Sequence, residues 1–346
     1  MNYQDNIISD SLSTKEALGK LNELQVKTLF IVNNKGKLVG TLTDGDIRRG
    51  LLQDKKITDS VMEFAEQAYT YLHENEISPE SHKKLTDKKF YVVPVINDNK
   101  EIVSILNLKE YKSLLPVDAV VMAGGLGKRL RPLTEDTPKP MLKIGEKPII
   151  EYNLDLLKSY GINNVGISVN YLKDKIINHY GDGEKRNQTF SYIHENQPLG
   201  TIGAVALMNE FVNDYILVMN SDLLTTINLE DMFTELIENN AEMIVATTEY
   251  KVNIPYGVIE THDGNITALK EKPTYSYYSN AGIYIFKKEH LNRIPKNKRY
   301  NATDLIQSLL DDNKQVINYP IRGYWLDIGK MRDYEKAQND IDKINF

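Results

Sequence analysis

The chain has 346 residues, which is enough for two domains and more than enough to bury a core. Its 42 basic and 48 acidic side chains give a net charge of -6 with no basic arm or stripe, which argues against a nucleic acid partner. The absence of cysteine excludes disulfides and thiolate chemistry, and without a signal-peptide pattern or an apolar run of roughly 18 residues we expect a cytoplasmic protein with no membrane partner.

The first 116 residues contain an internal repeat. A capping-box pattern at Ser13 and Glu16 predicts the start of a helix, and strands are predicted over Thr28–Val32 and 37–42 with a turn between them. Asp44 is the predicted cap of the helix that follows. The hairpin sequence recurs 64 residues later, where VINDNKEIVSILN aligns with IVNNKGKLVGTLT. The repeat predicts two copies of a helix, hairpin and helix unit, at about 1–58 and 59–116, related by a pseudo-twofold axis.

This module resembles a tandem CBS domain, through the repeat and the sequence GTLTDGDI at residues 40–47. The resemblance implies an α+β module whose clefts bind adenosine nucleotides, with Thr43 and Asp46 holding the ribose and the phosphate. The second copy has Asn107 and Glu110 at the matching positions, so we expect that cleft to be degenerate. The alternative is a pair that only dimerises or braces the rest of the chain. Tandem CBS modules commonly pair, which favours a homodimer or higher oligomer.

A glycine loop follows the predicted strand at 118–122 and begins the second domain, residues 117–346. The loop contains Gly124, Gly125 and Gly127, and cationic side chains follow it at Arg129, Arg131 and Lys139. Backbone without side chains lets main-chain amides approach a polyphosphate closely, and the cations balance the charge of the ligand. The pattern predicts a cradle for a nucleoside triphosphate.

Two other glycine motifs do not fit these residues. A P-loop requires Ser or Thr after its lysine, whereas Lys128 is followed by Arg129, and Met122 stands where the first glycine belongs. A dinucleotide fingerprint requires a small residue where this chain has Leu130. The remaining alternative is a strand-to-helix turn with incidental basic residues.

The loop and the sequence TPKP at residues 137–140 together resemble the signature GGxGxRLxPLTxxxPKP of the sugar-1-phosphate nucleotidylyltransferases. The resemblance covers nearly all of residues 117–346. It implies an α/β fold, with a Rossmann-like, mostly parallel mixed sheet flanked by helices. It also implies that Ala123 and the loop glycines wrap the triphosphate, and that Arg129 and Lys139 stabilise the reacting phosphates.

Apolar runs at 165–169, 190–194 and 215–219 predict strands, and they alternate with predicted helices that begin at Pro148 and lie near 173–179 and 202–208. Alternation of this kind predicts parallel strands with crossover helices, and ligands then gather at the carboxyl ends of the strands. Asp222 follows such a strand, where a carboxylate suits either a divalent cation or a simple turn. The resemblance implies that Asp222 binds Mg²⁺ together with Asp327, which lies in the sequence YWLDIGK.

The sequence ENQPLGT at residues 195–201 lies between a predicted strand and a predicted helix. By resemblance this loop meets the nucleobase, through Glu195, Pro198, Gly200 and Thr201. A glutamate only accepts hydrogen bonds, and guanine offers adjacent donors in its ring N–H and its amine, so Glu195 favours GTP. The alternative is a surface glutamate, with the base recognised by backbone groups.

The residues for the sugar are implied by resemblance. A sugar ring would lie against the bare backbone of Gly257, Glu271 and Asn280 would hold hydroxyls, and Lys272 would hold the sugar phosphate. Each of these polar residues alone is also typical of a solvated surface. A hairpin with an Asp-Gly turn is predicted between Gly257 and Glu271.

The cations and carboxylates come without a histidine or cysteine constellation for proton transfer or covalent catalysis. The resemblance implies transfer of a nucleoside monophosphate from a triphosphate to a sugar 1-phosphate, with release of pyrophosphate, and these residues agree with a reaction that needs charge neutralisation and placement. The order of the two modules resembles guanylyltransferases that act on glucosamine 1-phosphate in bacterial legionaminic acid pathways. Mannose 1-phosphate, manno-heptose 1-phosphate and a UTP- or dTTP-dependent reaction remain open. A different class is a nucleotide sensor that has lost catalysis, which the intact set of charged residues disfavours.

Overall fold

The computed structural model describes residues 3–344. The chain divides into two compact units, residues 1–115 and residues 116–346. Within the described residues, no helix is both long enough and apolar enough to span a bilayer.

The N-terminal unit contains two three-stranded sheets, one from each copy of the repeat. The first has the order β1-β2-β3 and the second the order β4-β5-β6, and in each the first pairing is parallel and the second antiparallel. Corresponding hairpin strands are offset by the same 64 residues, and each hairpin has one register shift near its turn. The elements of this unit are β1 Ile7–Ser9, α1 Thr14–Glu23, β2 Thr28–Val32, β3 Leu38–Thr43, α2 Asp44–Leu51, α3 Val61–Phe64, β4 Leu72–His73, α4 Pro79–Asp87, β5 Val92–Ile96 and β6 Ile102–Asn107.

The ends of the two copies differ from the sequence prediction. Thr43, not Asp44, is the N-cap of α2, because its backbone is still extended while Asp44 is already helical. The second copy lacks the predicted closing helix and has one 3-10 turn, Leu108–Glu110, in its place. Leu114 and Leu115 are then drawn into the core, which takes the chain out of a helical path before Pro116.

The C-terminal unit is built on a seven-stranded sheet with the order β11-β10-β7-β12-β17-β14-β18. Four of its pairings are parallel, and only the two made by β17 are antiparallel. β7, β10 and β12 are apolar along almost their whole length because helices cover both faces of such a sheet. The α/β fold with a mixed, mostly parallel sheet is confirmed.

The strands of the C-terminal unit are β7 Val117–Met122, β8 Lys143–Ile144, β9 Lys147–Pro148, β10 Asn164–Val169, β11 Thr189–His194, β12 Tyr215–Asn220, β13 Leu223–Thr225, β14 Met243–Asn253, β15 Val258–His262, β16 Asn265–Lys270, β17 Thr274–Lys287, β18 Val316–Pro320 and β19 Trp325–Asp327. Its helices are α5 Ile149–Ser159, α6 Lys173–Tyr180, α7 Leu229–Glu238, α8 Ala302–Asp311 and α9 Met331–Asp340.

Two predicted helices of this unit differ in detail. Pro148 is the N-cap of α5 and not its first helical residue. The predicted helix at 202–208 is a short 3-10 segment, Gly203–Leu207. Hydrogen bonds from the amides of Ile202 and Gly203 to the carbonyl of Tyr300 hold the start of this segment outside an α-helical path.

Asp118 anchors the strand that carries the glycine loop. Its carboxylate is fully buried near the start of β7 and accepts hydrogen bonds from the Asn213 amide at 2.8 Å, the Asn213 side chain at 2.8 Å and the Asn164 side chain at 3.1 Å. These bonds tie β7 to the beginning of β10 and to the segment before β12. A buried carboxylate is stable only when donors such as these satisfy it.

Replacing Asp118 with Ala leaves these donors without their acceptor, and we expect a loss of about 3 kcal/mol in the free energy of unfolding. Urea denaturation measures the change. Asp214→Ala is the matched control, because the Asp214 side chain is 91% exposed and lies 3.8 Å from Lys288. Its effect should stay within about 0.5 kcal/mol. Equal losses for the two variants would contradict the anchoring by Asp118.

Candidate active site

The glycine loop leaves the carboxyl end of β7 and turns at Gly127. The backbone amide of Ala123 bonds to the carbonyl of Ser168 at 3.0 Å, and the hydroxyl of Thr134 bonds to the carbonyl of Gly127 at 2.9 Å. Gly127 has a φ of +59°, and a side chain there would lie 3.0 Å from Thr134 and 3.1 Å from Cβ of Lys139. A glycine is therefore needed for the loop to pack against the Lys139 segment.

Positive charge surrounds a cavity of about 300 Å³ beneath this loop. The glycines Gly125 and Gly127 line it together with Arg129, Lys139 and Asp222. The Arg129 guanidinium lies near the backbone of Gly329, where an added Cβ would be 3.5 Å from its terminal nitrogens. Four of the predicted cradle residues, Gly125, Gly127, Arg129 and Lys139, thus share one cavity of a size and charge that suit phosphate groups. Gly124 and Arg131 do not line this cavity, and Arg131 is exposed.

Two carboxylates are brought together by a short antiparallel pair of strands. β13 pairs with β19 so that Leu223 lies opposite Asp327, and the amide of Ile328 bonds to the carbonyl of Asp222 at 3.0 Å. The Lys139 ammonium bonds to Oδ2 of Asp222 and lies 4.0 Å from Oδ1 of Asp327. Burial, followed by the nearby charge of Asp222, raises the pKa of Asp327.

The donor set of these carboxylates fits a hard divalent cation. Oδ1 of Asp222 and Oδ1 of Asp327 are both buried and have no hydrogen-bond partner within residues 3–344. Lys139 contributes one positive charge and the two carboxylates contribute two negative charges, so these three side chains together remain negative. Unsatisfied, buried carboxylate oxygens are the ligands that Mg²⁺ prefers, so Asp222 and Asp327 are the residues that could hold it.

A second cavity of about 380 Å³ adjoins the first, and the two share Met122, Gly125 and Asp222 in their walls. The predicted base-loop residues are brought together in this cavity with the start of the glycine loop and one arginine. Its other lining residues are Gly124, Glu195, Pro198, Leu199, Gly200, Thr201, Asn220 and Arg299.

Glu195 is bonded within the protein at both of its oxygens. Oε1 accepts the hydroxyl of Ser168, and Oε2 accepts the amide of Leu199 at 3.0 Å. A side chain at Gly124 would overlap Oε1, so this glycine is what lets the carboxylate approach the loop. A carboxylate has about four acceptor positions, which leaves Glu195 able to accept from a ligand as well.

The predicted sugar residues lie in two places, at the base of the separate β15–β16 hairpin and on β17 of the seven-stranded sheet. An added Cβ on Gly257 would be 3.1 Å from Oε2 of Glu271, so these two residues are adjacent, and Lys272 follows with a φ of +44°. Asn280 lies on β17, where its Oδ1 accepts the amide of Gly282 and the hydroxyl of Tyr284, each at 2.8 Å. Its side-chain NH₂ group is the part of Asn280 with no protein partner among the described residues.

The sequence reasoning missed Ser168 and Arg299. Ser168 is a fully buried polar residue in an otherwise apolar strand, and that interruption was a usable signal. Arg299 belongs to the basic run KNKR at residues 296–299, which is typical of a solvated surface and gave no signal.

The contact between Gly127 and Lys139 can be tested with a matched pair of glycines. Gly127→Ala and Gly264→Ala both place a side chain at positive φ, which costs about 1 kcal/mol, but an added Cβ at Gly264 has no atom within 4 Å. Gly127→Ala must also displace Thr134 or Lys139, so we expect about 1 kcal/mol of additional destabilisation in urea and weaker triphosphate binding by calorimetry. Equal destabilisation with unchanged triphosphate affinity would show that the contact is unimportant.

Comparison with known proteins places this geometry in a family. A model described as nucleotidyl transferase matches residues 118–344, and a CBS domain model matches residues 4–53. The chain is 32% identical over 224 residues to the mannose-1-phosphate guanylyltransferase catalytic subunit beta of Xenopus tropicalis. This alignment covers 62% of this chain and 62% of that relative. It is 31% identical over 239 residues to the UTP–glucose-1-phosphate uridylyltransferase of Synechocystis sp., or 63% of this chain and 62% of that relative.

A solved structure supports the same assignment. The crystal structure of HddC from Yersinia pseudotuberculosis complexed with GMP-PN is 26% identical, with a TM-score of 0.51, and the match covers 65% of this chain and 99% of that one. The chain spans less than two thirds of the length of the two relatives named above. Because the family match runs through the glycine loop and both carboxylates, the chain belongs to the nucleotidyl transferase family and carries a CBS domain at its N-terminal end.

Proposed function

We propose that this protein transfers a nucleoside monophosphate from a nucleoside triphosphate to a sugar 1-phosphate and releases pyrophosphate. The observation that carries the proposal is the convergence of the glycine loop, Arg129, Lys139 and Asp222 on one cavity, with Asp327 beside Asp222. The family match over residues 118–344 supports the same reaction.

The chemistry needs charge neutralisation and placement but no general base. An oxygen of the sugar 1-phosphate is already anionic and attacks the α-phosphorus, a new O–P bond forms, and the bond to the β-phosphate oxygen breaks with its electron pair leaving on pyrophosphate. Lys139 would neutralise charge on the α-phosphate and Arg129 charge on the phosphates that leave. Mg²⁺, when bound by Asp222 and Asp327, supplies further neutralisation of phosphate oxygens.

GTP is the proposed nucleotide. The remaining acceptor positions of Glu195 match the two adjacent donors of guanine, and relatives include a mannose-1-phosphate guanylyltransferase. UTP is the second candidate, because a uridylyltransferase aligns almost as well.

Glucosamine 1-phosphate is the first sugar to test. The order of the CBS module and the transferase unit supports it, and mannose 1-phosphate and manno-heptose 1-phosphate are its alternatives. Gly257, Glu271, Lys272 and Asn280 are the proposed contacts of whichever sugar 1-phosphate binds.

An adenosine nucleotide in the N-terminal unit remains a prediction. The Thr43 hydroxyl bonds to the Asp46 carboxylate at 2.6 Å, and this carboxylate also pairs with Arg49. A nucleotide held by these two residues would have to replace bonds that cap α2, so a purely structural module is the alternative.

The reaction is tested by mixing the full chain with Mg²⁺, with GTP, UTP or dTTP, and with each of the three sugar 1-phosphates, while pyrophosphate release is recorded. We expect pyrophosphate and a nucleotide-sugar with GTP and at least one sugar, because the cavity supplies cations for a triphosphate. The control omits the sugar 1-phosphate and should release none. No pyrophosphate with any pair would reject the transferase in favour of a nucleotide sensor.

Replacing Lys139 with Ala should lower kcat about 100-fold or more, because a buried cation next to the reacting phosphate is removed. The KM for GTP should change much less, since the loop amides and Arg129 remain. Lys143→Ala is the matched control, as that lysine is exposed and lies four residues farther along the chain, in β8. Near-normal turnover in Lys139→Ala would exclude a catalytic contact for this residue.

A further inference from the structure

The positive charge of Arg299 is not neutralised by an ion pair with any described residue. It lines the second cavity with Glu195, Pro198 and Gly200. Within residues 3–344, its guanidinium takes part in no hydrogen bond or ion pair. Nearby Arg293, in contrast, pairs with Asp312. Arg299 is exposed as well as lining the cavity, so its guanidinium is available to a ligand there.

The backbone at Arg299 is held to the base loop on both sides. The amide of Tyr300 bonds to the carbonyl of Leu199 at 2.9 Å, and the carbonyl of Tyr300 accepts the amides of Ile202 at 3.2 Å and Gly203 at 3.1 Å. The same segment is attached through Gln197, whose side chain bonds to the carbonyl of residue 297 at 2.9 Å. The hydrogen bonds that place the base loop therefore also place Arg299.

The part of the substrate that reaches Arg299 follows from the arrangement of the two cavities. They share Met122, Gly125 and Asp222, so a triphosphate on the Arg129 and Lys139 cradle extends its nucleoside into the second cavity. The phosphates occupy the first cavity, where Arg129 and Lys139 lie. The ligand atoms near Arg299 are then those of a neutral base, which an arginine recognises through hydrogen-bond acceptors.

We propose that Arg299 selects guanine by donating hydrogen bonds to its O6 and N7, while Glu195 accepts from the ring N–H and the amine. The proposal rests on the proposed guanylyl transfer and assigns its base specificity to a residue outside the ENQPLGT loop. The fork of an arginine matches the two acceptors of guanine, which is the commonest specific contact between arginine and a base.

Adenine and the pyrimidines cannot form the full set of hydrogen bonds with Arg299 and Glu195. Adenine presents an amine donor to the Arg299 guanidinium and an acceptor nitrogen to the Glu195 carboxylate, so both contacts become unfavourable. Pyrimidines have no N7 and give Arg299 one acceptor at most. Arg299 and Glu195 recognise different edges of guanine, so nucleotide analogues can separate their contributions.

The test uses GTP, 7-deaza-GTP, which has a C–H in place of N7, and ITP, which lacks the amine. We expect the wild type to use 7-deaza-GTP with a kcat/KM about tenfold below that of GTP, because a hydrogen bond to a charged donor is lost. Arg299→Ala should lower kcat/KM for GTP about 100-fold, because both hydrogen bonds are lost, and it should remove the difference between GTP and 7-deaza-GTP. Its preference for GTP over ITP should persist, since Glu195 is unchanged.

Two further variants complete the design. Arg299→Lys keeps the charge without the fork and should recover only part of the lost kcat/KM. Lys296→Ala removes an exposed cation of the same segment that does not line the cavity, and it should behave as the wild type with all three nucleotides.

Several outcomes would overturn the proposal. If Arg299→Ala lowers kcat/KM for GTP and 7-deaza-GTP equally and leaves their ratio at the wild-type value, Arg299 does not contact N7. If the variant raises only the KM of the sugar 1-phosphate, the arginine belongs to the sugar. Failure of the proposed function differs from both results, because the wild type would then release no pyrophosphate from any nucleotide.

Discussion

The candidate active site depends on one charge arrangement, in which the Lys139 ammonium lies between two carboxylates that would otherwise repel each other. Asp222 and Asp327 belong to segments distant in the chain, and the antiparallel pairing of β13 with β19 holds them together. Lys139 is only 9% exposed, so its interaction with Asp222 is poorly screened by water. The glycine at position 127 matters for the same reason, because it allows the loop to close over the lysine.

The sheet explains why such different side chains meet at one edge. β7, β10 and β12 are parallel neighbours, and their carboxyl ends deliver the glycine loop, Ser168 and Asp222 to the same side. β17 runs antiparallel beside β12 and brings Asn280 to this edge from the opposite direction. A mixed sheet therefore brings together the residues proposed to bind phosphate, metal and sugar, which a purely parallel sheet would supply from loops alone.

In the proposed function, the two cavities divide the recognition of a nucleotide into different kinds of interaction. The first has fixed positive charge and bare backbone, which suit phosphates of any nucleotide. The second has one carboxylate and one guanidinium, Glu195 and Arg299, whose donors and acceptors are directional. Charge in one cavity can then serve catalysis while hydrogen bonds in the other serve selection, so changes to base specificity need not disturb the reacting phosphates.

The sequence by itself determined the features that depend on neighbouring residues. These are the hairpin repeat, the buried strands of the sheet and the glycine loop with its cations, because periodicity and backbone freedom act over a few positions. Only the tertiary structure decided that the Ser168 hydroxyl bonds to Glu195 and that Arg299 lines the same cavity as Glu195. Those contacts join segments through long-range hydrogen bonds and strand pairing, whose geometry local sequence does not encode.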